Sequence, residues 1–163
     1  MSTIHVLFGT ESGNAELVAD DIAEELTSSG YECVVSSMDG VDVADIADGS
    51  LAVIITSTYG DGELPMTAIP FQRALVSRKP DLSRLRFLAF GLGDSTYDTY
   101  NNAVEALVND LVGLGAVQLG QVGRHDAAST DDCSDAGVAW IRQVLAEGVL
   151  QQASLVEASG TTH

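Results

Sequence analysis

The length and the charge of this 163-residue chain exclude several classes of protein at the outset. With 24 acidic residues against 7 basic ones and a formal net charge of −17, its surface repels nucleic acid and anionic membranes, so neither is expected as a partner. The length fits one domain with its own core, and no stretch approaches the roughly 20 apolar residues of a membrane span. No basic region followed by an apolar one opens the chain, so no signal peptide is expected and a cytoplasmic location is predicted.

The excess of acidic residues has two explanations that composition alone does not separate. An acidic surface attracts a basic protein and speeds the encounter with it. Alternatively, the chain is adapted to a salty interior, since Lys79 is its only lysine. The two cysteines, Cys33 and Cys133, lack the spacing of a metal or redox site and are interpreted as buried or half-exposed thiols. The histidines also lack ligand spacing and are interpreted as non-catalytic: His5, His125 and His163.

The first half of the chain alternates short apolar runs with one long helical pattern. The run at residues 4–8 predicts a strand, and the pattern at 13–28 predicts an amphipathic helix. A second strand is predicted at 32–37, followed by an acidic loop with one helical turn at 43–47. Residues 51–56 are apolar almost without interruption, as in a strand that is covered on both faces.

The second half continues the alternation. A helix is predicted at 67–77, a buried strand at 85–90, a helix at 101–114, a fifth strand at 116–122 and a last helix at 134–146. Five strands that alternate with helices indicate an α/β fold, in which a parallel sheet carries helices on both faces.

The first strand turns through small polar residues into the helix that opens near Gly13, an arrangement typical of an anion site. The first N–H groups of a helix have no partner within it, and the helix dipole places positive charge there. Hydroxyl and amide side chains add donors at the same place: Thr10, Ser12 and Asn14. No Lys or Arg precedes Arg73, so a phosphate here would be held by dipoles and hydroxyls. An ordinary N-capped helix fits this loop equally well, because such residues are common caps.

Two further loops follow the third and fourth strands and therefore share one edge of a parallel sheet with the first loop. Ligands of open α/β sheets bind at this edge. Residues 57–65 carry Tyr59, and residues 91–97 carry Tyr97. Two tyrosines at one edge can sandwich a flat aromatic ligand, although each could also pack on its own loop. A phosphate site beside a slot for a ring indicates a mononucleotide ligand.

Three motifs resemble, in order and spacing, the three FMN loops of flavodoxins: Thr10-Glu11-Ser12-Gly13-Asn14-Ala15, Ser57-Thr58-Tyr59-Gly60-Asp61-Gly62 and Gly91-Leu92-Gly93-Asp94-Ser95-Thr96-Tyr97. The resemblance spans about residues 3–147. It is strongest to short-chain, MioC-type flavodoxins and to the FMN domains of diflavin reductases, such as sulfite reductase flavoprotein and haem-monooxygenase reductases. It implies a flavodoxin-like three-layer α/β/α sandwich with a five-stranded parallel sheet of order 2-1-3-4-5.

The resemblance also implies FMN as the cofactor and assigns residues to it. Those at the phosphate would be Thr10, Glu11, Ser12, Gly13, Asn14 and Ala15. Those at the ring and ribityl chain would be Ser57, Thr58, Tyr59, Gly60, Leu92, Gly93, Asp94, Ser95, Thr96, Tyr97 and Asn101, with the two tyrosines flanking the ring and Asp126 closing the site. Ala15 stands where many free-standing flavodoxins have Thr, and Asp94 stands where reductase domains often have Asn, so the contact of Asp94 is left open.

By the same resemblance, the protein is an electron carrier rather than a stand-alone enzyme. The implied partners are an NAD(P)H-dependent flavodoxin or ferredoxin reductase and a basic-faced acceptor such as a haem monooxygenase, and a monomer is expected. The alternatives are a flavin-binding accessory protein without a dedicated redox partner and, less favoured, a receiver-type signalling domain. The expected domain covers residues 1–148, followed by a flexible tail at 149–163.

Overall fold

The computed structural model of this chain describes residues 3–10, 13–46, 51–57, 64–93, 102–126 and 132–148. Within these ranges strands and helices alternate as the sequence predicts. No helix in the described part of the chain is long and apolar enough to cross a membrane. The predicted tail at 149–163 lies outside the described residues.

A parallel sheet forms the middle layer of the fold. Its strands are β1 (Ile4–Gly9), β2 (Cys33–Ser37), β3 (Leu51–Ser57), β4 (Arg86–Gly93), β5 (Val117–Gln118) and β6 (Gly123–Asp126). They are arranged in the order β2-β1-β3-β4-β5, with β6 also paired to β4, and these pairings are all parallel. The order 2-1-3-4-5 is the predicted one, so the α/β, flavodoxin-like fold class is confirmed.

The last edge of the sheet differs from the single strand predicted at 116–122. Two short strands, β5 and β6, share this edge and pair with opposite ends of β4. Gly123 allows β6 to lie close to its neighbours, because a Cβ there would be 2.6 Å from atoms of Phe90 and Trp140. The segment through His125 and Asp126, predicted to be a loop, is therefore a strand.

Strand β4 is longer than predicted, because it continues past Phe90 to Gly93. Its last residues remain in the sheet since both neighbouring strands pair with them. Leu92, for example, pairs with Ser57 of β3 on one side and with His125 of β6 on the other. The first part of the third predicted FMN loop is therefore the end of a strand.

Helices cover both faces of the sheet: α1 (Asn14–Ser28), α2 (Val43–Ile46), α3 (Ile69–Arg78), α4 (Asn102–Gly113) and α5 (Cys133–Ala146), with a 3-10 turn at Met38–Gly40. Alternate residues of β1, β3 and β4 belong to two separate buried clusters, as the pleat requires. The cluster shared with α1 and α5 contains Val6, Val53 and Leu88. The cluster shared with α3 and α4 contains the residues adjacent to these in sequence: Leu7, Ile54 and Phe87. The result is the predicted three-layer sandwich.

Candidate functional site

The register of the sheet brings the carboxyl ends of four strands to one edge. Gly9 of β1 pairs with Thr56 of β3, which pairs with Gly91 of β4. At the end of β4, Gly93 pairs with Asp126 of β6. The predicted site residues that the structure describes lie at this edge or in the helix that begins there: Thr10, Gly13, Asn14, Ala15, Ser57, Leu92, Gly93 and Asp126.

The other predicted site residues lie outside the described residues: Glu11, Ser12, Thr58, Tyr59, Gly60, Asp94, Ser95, Thr96, Tyr97 and Asn101. The described part of the site is therefore the part predicted to hold a phosphate, together with the ends of β3, β4 and β6.

Helix α1 begins at this edge without a side-chain cap. Its N-cap residue is Gly13, whose φ of 94° lies in the left-handed region that favours glycine, and which has no side chain to accept from the N–H groups of the first turn. The first carbonyl used within the helix is that of Gly13, which accepts from the N–H of Leu17 at 3.2 Å. The N–H groups of the first three helical residues thus have no acceptor within the helix.

Helix α5 begins at the same edge and offers a direct contrast. There the N-cap is Asp132, whose carboxylate accepts a hydrogen bond from the N–H of Asp135 at 3.4 Å. Helix α5 is thus an ordinary helix capped by a side chain. At α1, no side chain among the described residues accepts from the N–H groups of Asn14, Ala15 or Glu16.

The loop after β1 is fixed by a threonine that the sequence analysis did not select. Thr67 accepts a hydrogen bond from the N–H of Thr10 at 2.7 Å, and its hydroxyl donates to the carbonyl of Thr10 at 3.2 Å. The side chain of Thr10 in turn accepts from the N–H of Gly13 at 2.8 Å. One hydroxyl therefore satisfies both backbone groups of Thr10, and Thr10 holds the residue at which α1 starts.

Thr67 was predicted to lie within a helix, but α3 begins two residues later. Residues 65–68 form a turn that is closed by a 2.9 Å hydrogen bond from the N–H of Ala68 to the carbonyl of Pro65. Proline and a hydroxyl residue just before a helical pattern are a turn signal. That signal could have predicted a later start for the helix. It could not have predicted a hydrogen bond between residues that are 57 positions apart in the sequence.

Gly9 allows this turn to lie against the end of β1. A Cβ at Gly9 would be 2.7 Å from the Cβ of Ala68, 3.0 Å from the sulfur of Met38 and 3.1 Å from Oγ1 of Thr56. Because Ala68 follows Thr67 directly, this close approach helps to bring the Thr67 hydroxyl to Thr10. The loop is thus held by packing at Gly9 and by hydrogen bonds at Thr10.

Basic residues are not gathered at this edge. Four of the seven lie near the opposite edge, between the end of α3 and the start of β4: Arg78, Lys79, Arg84 and Arg86. Arg124 and Arg142 form 2.7 Å ion pairs with Glu105 and Glu25, and Arg73 is exposed on α3. In the described part of the loop after β1, the donors are therefore peptide N–H groups and the Thr10 hydroxyl.

This donor set fits a phosphate. The first N–H groups of α1 have no acceptor within the helix. Apart from its two chain neighbours, no atom lies within 4 Å of a Cβ built on Gly13, so a ligand can approach the backbone closely there. The Thr10 oxygen accepts from Gly13 and keeps its own proton for an acceptor. In the described part of the chain, no group of His, Cys, Asp or Glu could hold a metal ion.

Comparison with known proteins agrees with this geometry. A family model described as Flavodoxin matches residues 6–140. Protein MioC of Escherichia coli strain K12 is 33% identical over 141 residues, which cover 86% of this chain and 95% of MioC. NADPH-dependent diflavin oxidoreductase 1 of Schizosaccharomyces pombe is 32% identical over 149 residues, 90% of this chain but 26% of that longer protein. The solved structure of a flavodoxin mutant from Pseudomonas aeruginosa has a TM-score of 0.78 at 27% identity, over 88% of this chain and 97% of its own.

The chain is a doubly wound parallel α/β protein, a class in which ligands bind at the carboxyl edge of the sheet and a helix N-terminus there suits an anion such as a phosphate. With most of its length matched by one family model, the chain belongs to the flavodoxin family. Family membership confirms the expected cofactor, FMN, and the expected class of function, redox electron transfer.

Proposed function

We propose that this protein is an electron carrier that binds FMN at the carboxyl edge of its sheet and passes single electrons from a reductase to an acceptor enzyme. When bound, FMN supplies the redox chemistry. The chain holds the phosphate, encloses the ring and presents a surface to its partners. The observation that carries the proposal is the uncapped N-terminus of α1 beside the end of β1.

Three groups of residues divide the work of binding in this proposal. The phosphate is held by the segment from Thr10 to Ala15, which includes the described donors at Gly13 and the start of α1. Tyr59 and Tyr97 flank the ring, and the remaining predicted residues line it from the loops after β3 and β4. Asp126, at the end of β6, closes the site beside Gly93.

A stripe of acidic residues on α1 supports docking to basic partners. Glu16, Asp20 and Glu24 are exposed and spaced by four residues, so they share one face of the helix and begin at its site end. None of the described ion pairs involves them. Leu17 lies beside them with 56% of its surface exposed, and it offers an apolar contact within the acidic surface.

Binding is tested by titrating the purified protein with FMN and with riboflavin while following flavin fluorescence. Riboflavin lacks the phosphate, so we expect it to bind at least about a hundredfold more weakly, because it forgoes several charge-assisted hydrogen bonds. Tyr97→Ala should loosen the ring and restore fluorescence, whereas Tyr31→Ala, at the far end of α1, should leave FMN bound. A protein that contains no flavin and takes up none from solution would refute the proposal.

Electron transfer is tested with a flavodoxin reductase and NADPH under anaerobic conditions. The double variant Asp20→Asn/Glu24→Gln should be reduced more slowly, because it removes charge from the acidic stripe. The matched control Glu32→Gln/Glu147→Gln changes the net charge equally, but its residues lie just before β2 and just after α5, at the opposite edge of the sheet. For the unmodified protein, the rate should fall as salt screens the charges. Equal rates in both variants and a flat salt profile would assign the acidity to salt adaptation.

A monomer in the cytoplasm completes the proposal. The two free cysteines support a reducing compartment, where thiols persist without pairing. Cell fractionation with an antibody, and the mass of the purified holoprotein by light scattering, test the location and the oligomeric state.

A further inference from the structure

We propose that Thr67 is a positioning residue for the phosphate site: it fixes Thr10, and through Thr10 it fixes the N-terminus of α1. The inference rests on the proposed FMN site, because a positioning role has meaning only if a phosphate binds there. Thr67 belongs to the turn before α3, outside the three loops that the family resemblance assigns to FMN.

Thr67 makes two hydrogen bonds to the backbone of the loop after β1. Its single hydroxyl serves as acceptor for the Thr10 N–H at 2.7 Å and as donor to the Thr10 carbonyl at 3.2 Å. These two bonds tie both backbone polar groups of Thr10 to the turn before α3. Both bonds join residues 57 positions apart, so they connect the turn before α3 to the exit of β1.

A third bond carries this constraint to the helix. Oγ1 of Thr10 accepts from the N–H of Gly13 at 2.8 Å, and Gly13 is the N-cap of α1. Gly13 gains no side-chain cap of its own, so this contact is the hydrogen bond that holds its amide. The hydroxyl proton of Thr10 is directed by the same contact, because its oxygen already accepts from Gly13. A chain of three bonds thus sets where the phosphate donors point.

Packing at the neighbouring residues makes this arrangement specific rather than adaptable. Ala68 lies against Gly9, where even a single added methyl group would be 2.7 Å away. The turn that carries Thr67 therefore cannot slide relative to β1 without losing contact. This packing holds the residue next to Thr67, and so it positions the Thr67 hydroxyl beside Thr10.

The test compares FMN and riboflavin affinities across four proteins: the wild type, Thr67→Val, Thr67→Ser and Thr27→Val. Thr67→Val keeps the shape but removes the hydroxyl, and Thr67→Ser restores it. Thr27→Val removes a hydroxyl near the opposite end of α1, about 20 Å along the helix from Asn14. We expect Thr67→Val to weaken FMN about tenfold, as for the loss of one hydrogen bond to a charged group, with riboflavin affinity nearly unchanged. The other two variants should match the wild type.

The ratio of the two affinities separates positioning from a merely structural role. If Thr67→Val lowers the stability of the apoprotein but leaves the ratio of FMN to riboflavin affinity unchanged, the inference is overturned. A wild type that binds FMN no better than riboflavin would overturn the phosphate site itself, and the inference with it. If the valine variant does not fold, Thr67→Ala takes its place, because it removes the hydroxyl without placing a methyl group against the Thr10 N–H.

A double variant tests the proposed order of the bonds. If Thr67 acts through Thr10, then Thr10→Val/Thr67→Val should lose no more FMN affinity than Thr10→Val alone, since both changes break one chain of contacts. Losses that add would mean that Thr67 acts on the ligand by another route, and would contradict the inference.

Discussion

Replacing Gly9 by alanine should destabilise the protein by overpacking the junction between β1 and the turn before α3. The new Cβ would be 2.7 Å from the Cβ of Ala68, against the roughly 3.5–4.0 Å at which carbon atoms attract one another. Two more atoms would be close, the sulfur of Met38 at 3.0 Å and Oγ1 of Thr56 at 3.1 Å. A methionine sulfur can move, but the Cβ of Ala68 moves only with its backbone. We therefore expect a loss of about 1–3 kcal/mol in the free energy of unfolding.

The loss is measured by urea unfolding of the apoprotein, so that bound FMN does not contribute to stability. The transition midpoint should fall with the slope m unchanged, and the melting temperature should fall by about 2–10 °C. Gly113→Ala is the matched control. Gly113 ends α4, a Cβ there would meet no atom within 4 Å, and its φ is not positive, so alanine should stabilise by about 0.4–1 kcal/mol.

Opposite signs for the two glycines would support the close approach at Gly9. A Gly9→Ala protein within about 0.5 kcal/mol of the wild type, the usual range of a surface change, would refute the reasoning. It would mean that the turn at Pro65–Ala68 yields readily, and that Ala68 does not hold Thr67 in place.

Three further predictions concern charge and thiols. FMN affinity should rise between low and physiological salt in a fluorescence titration, because salt screens the repulsion between the phosphate and a chain of net charge −17; an affinity that falls would indicate a cation at the site. The Arg142 guanidinium holds the pKa of Glu25 below its ordinary value by hydrogen bonding. Their 2.7 Å ion pair should therefore stabilise the fold above about pH 4.3, and this stabilisation should be lost as the pH falls through the lowered pKa. Arg142→Gln should therefore melt earlier than the wild type at pH 7 but at the same temperature in acid, and a deficit that persists in acid would contradict this assignment. Burial raises the pKa of the thiols of Cys33 and Cys133, so alkylation of the folded protein by iodoacetamide should be slow at pH 7 and accelerate with pH; fast, pH-independent labelling would contradict it.

The order of the elements could be predicted from the sequence because each of them is set by a local pattern. The uninterrupted apolar run of β3 indicated a strand buried on both faces, and its residues from Ala52 to Thr56 are indeed fully buried. The right-handed connection of parallel strands then leaves few topologies, and the observed order is the predicted one. The helix that follows β1 was likewise predicted, because its apolar residues recur at helical spacing.

Features that depend on distant contacts could not be predicted in this way. The division of the last edge strand depends on Gly123, which lies against Phe90 and Trp140, residues far from it in sequence. The continuation of β4 through Gly91 depends on strands that pair with it on both sides. When only the local sequence is considered, glycines after an apolar run indicate the end of a strand. Tertiary pairing overrides that local preference, and so the strand boundary was placed three residues too early.

The absence of a counter-charge links the binding of FMN to its redox behaviour. Peptide dipoles at the start of α1 hold charge only while they point at it, so their alignment matters more than it would beside an arginine, whose charge acts in every direction. This is why the contacts that fix Thr10 and Gly13 carry so much of the site in the proposal. In the proposal, a cofactor that gains negative charge on full reduction would do so in a chain whose formal net charge is already −17. We therefore expect the chain to retain oxidised FMN through its phosphate and to disfavour the fully reduced, anionic cofactor, which potentiometry would show as a low potential for the second electron.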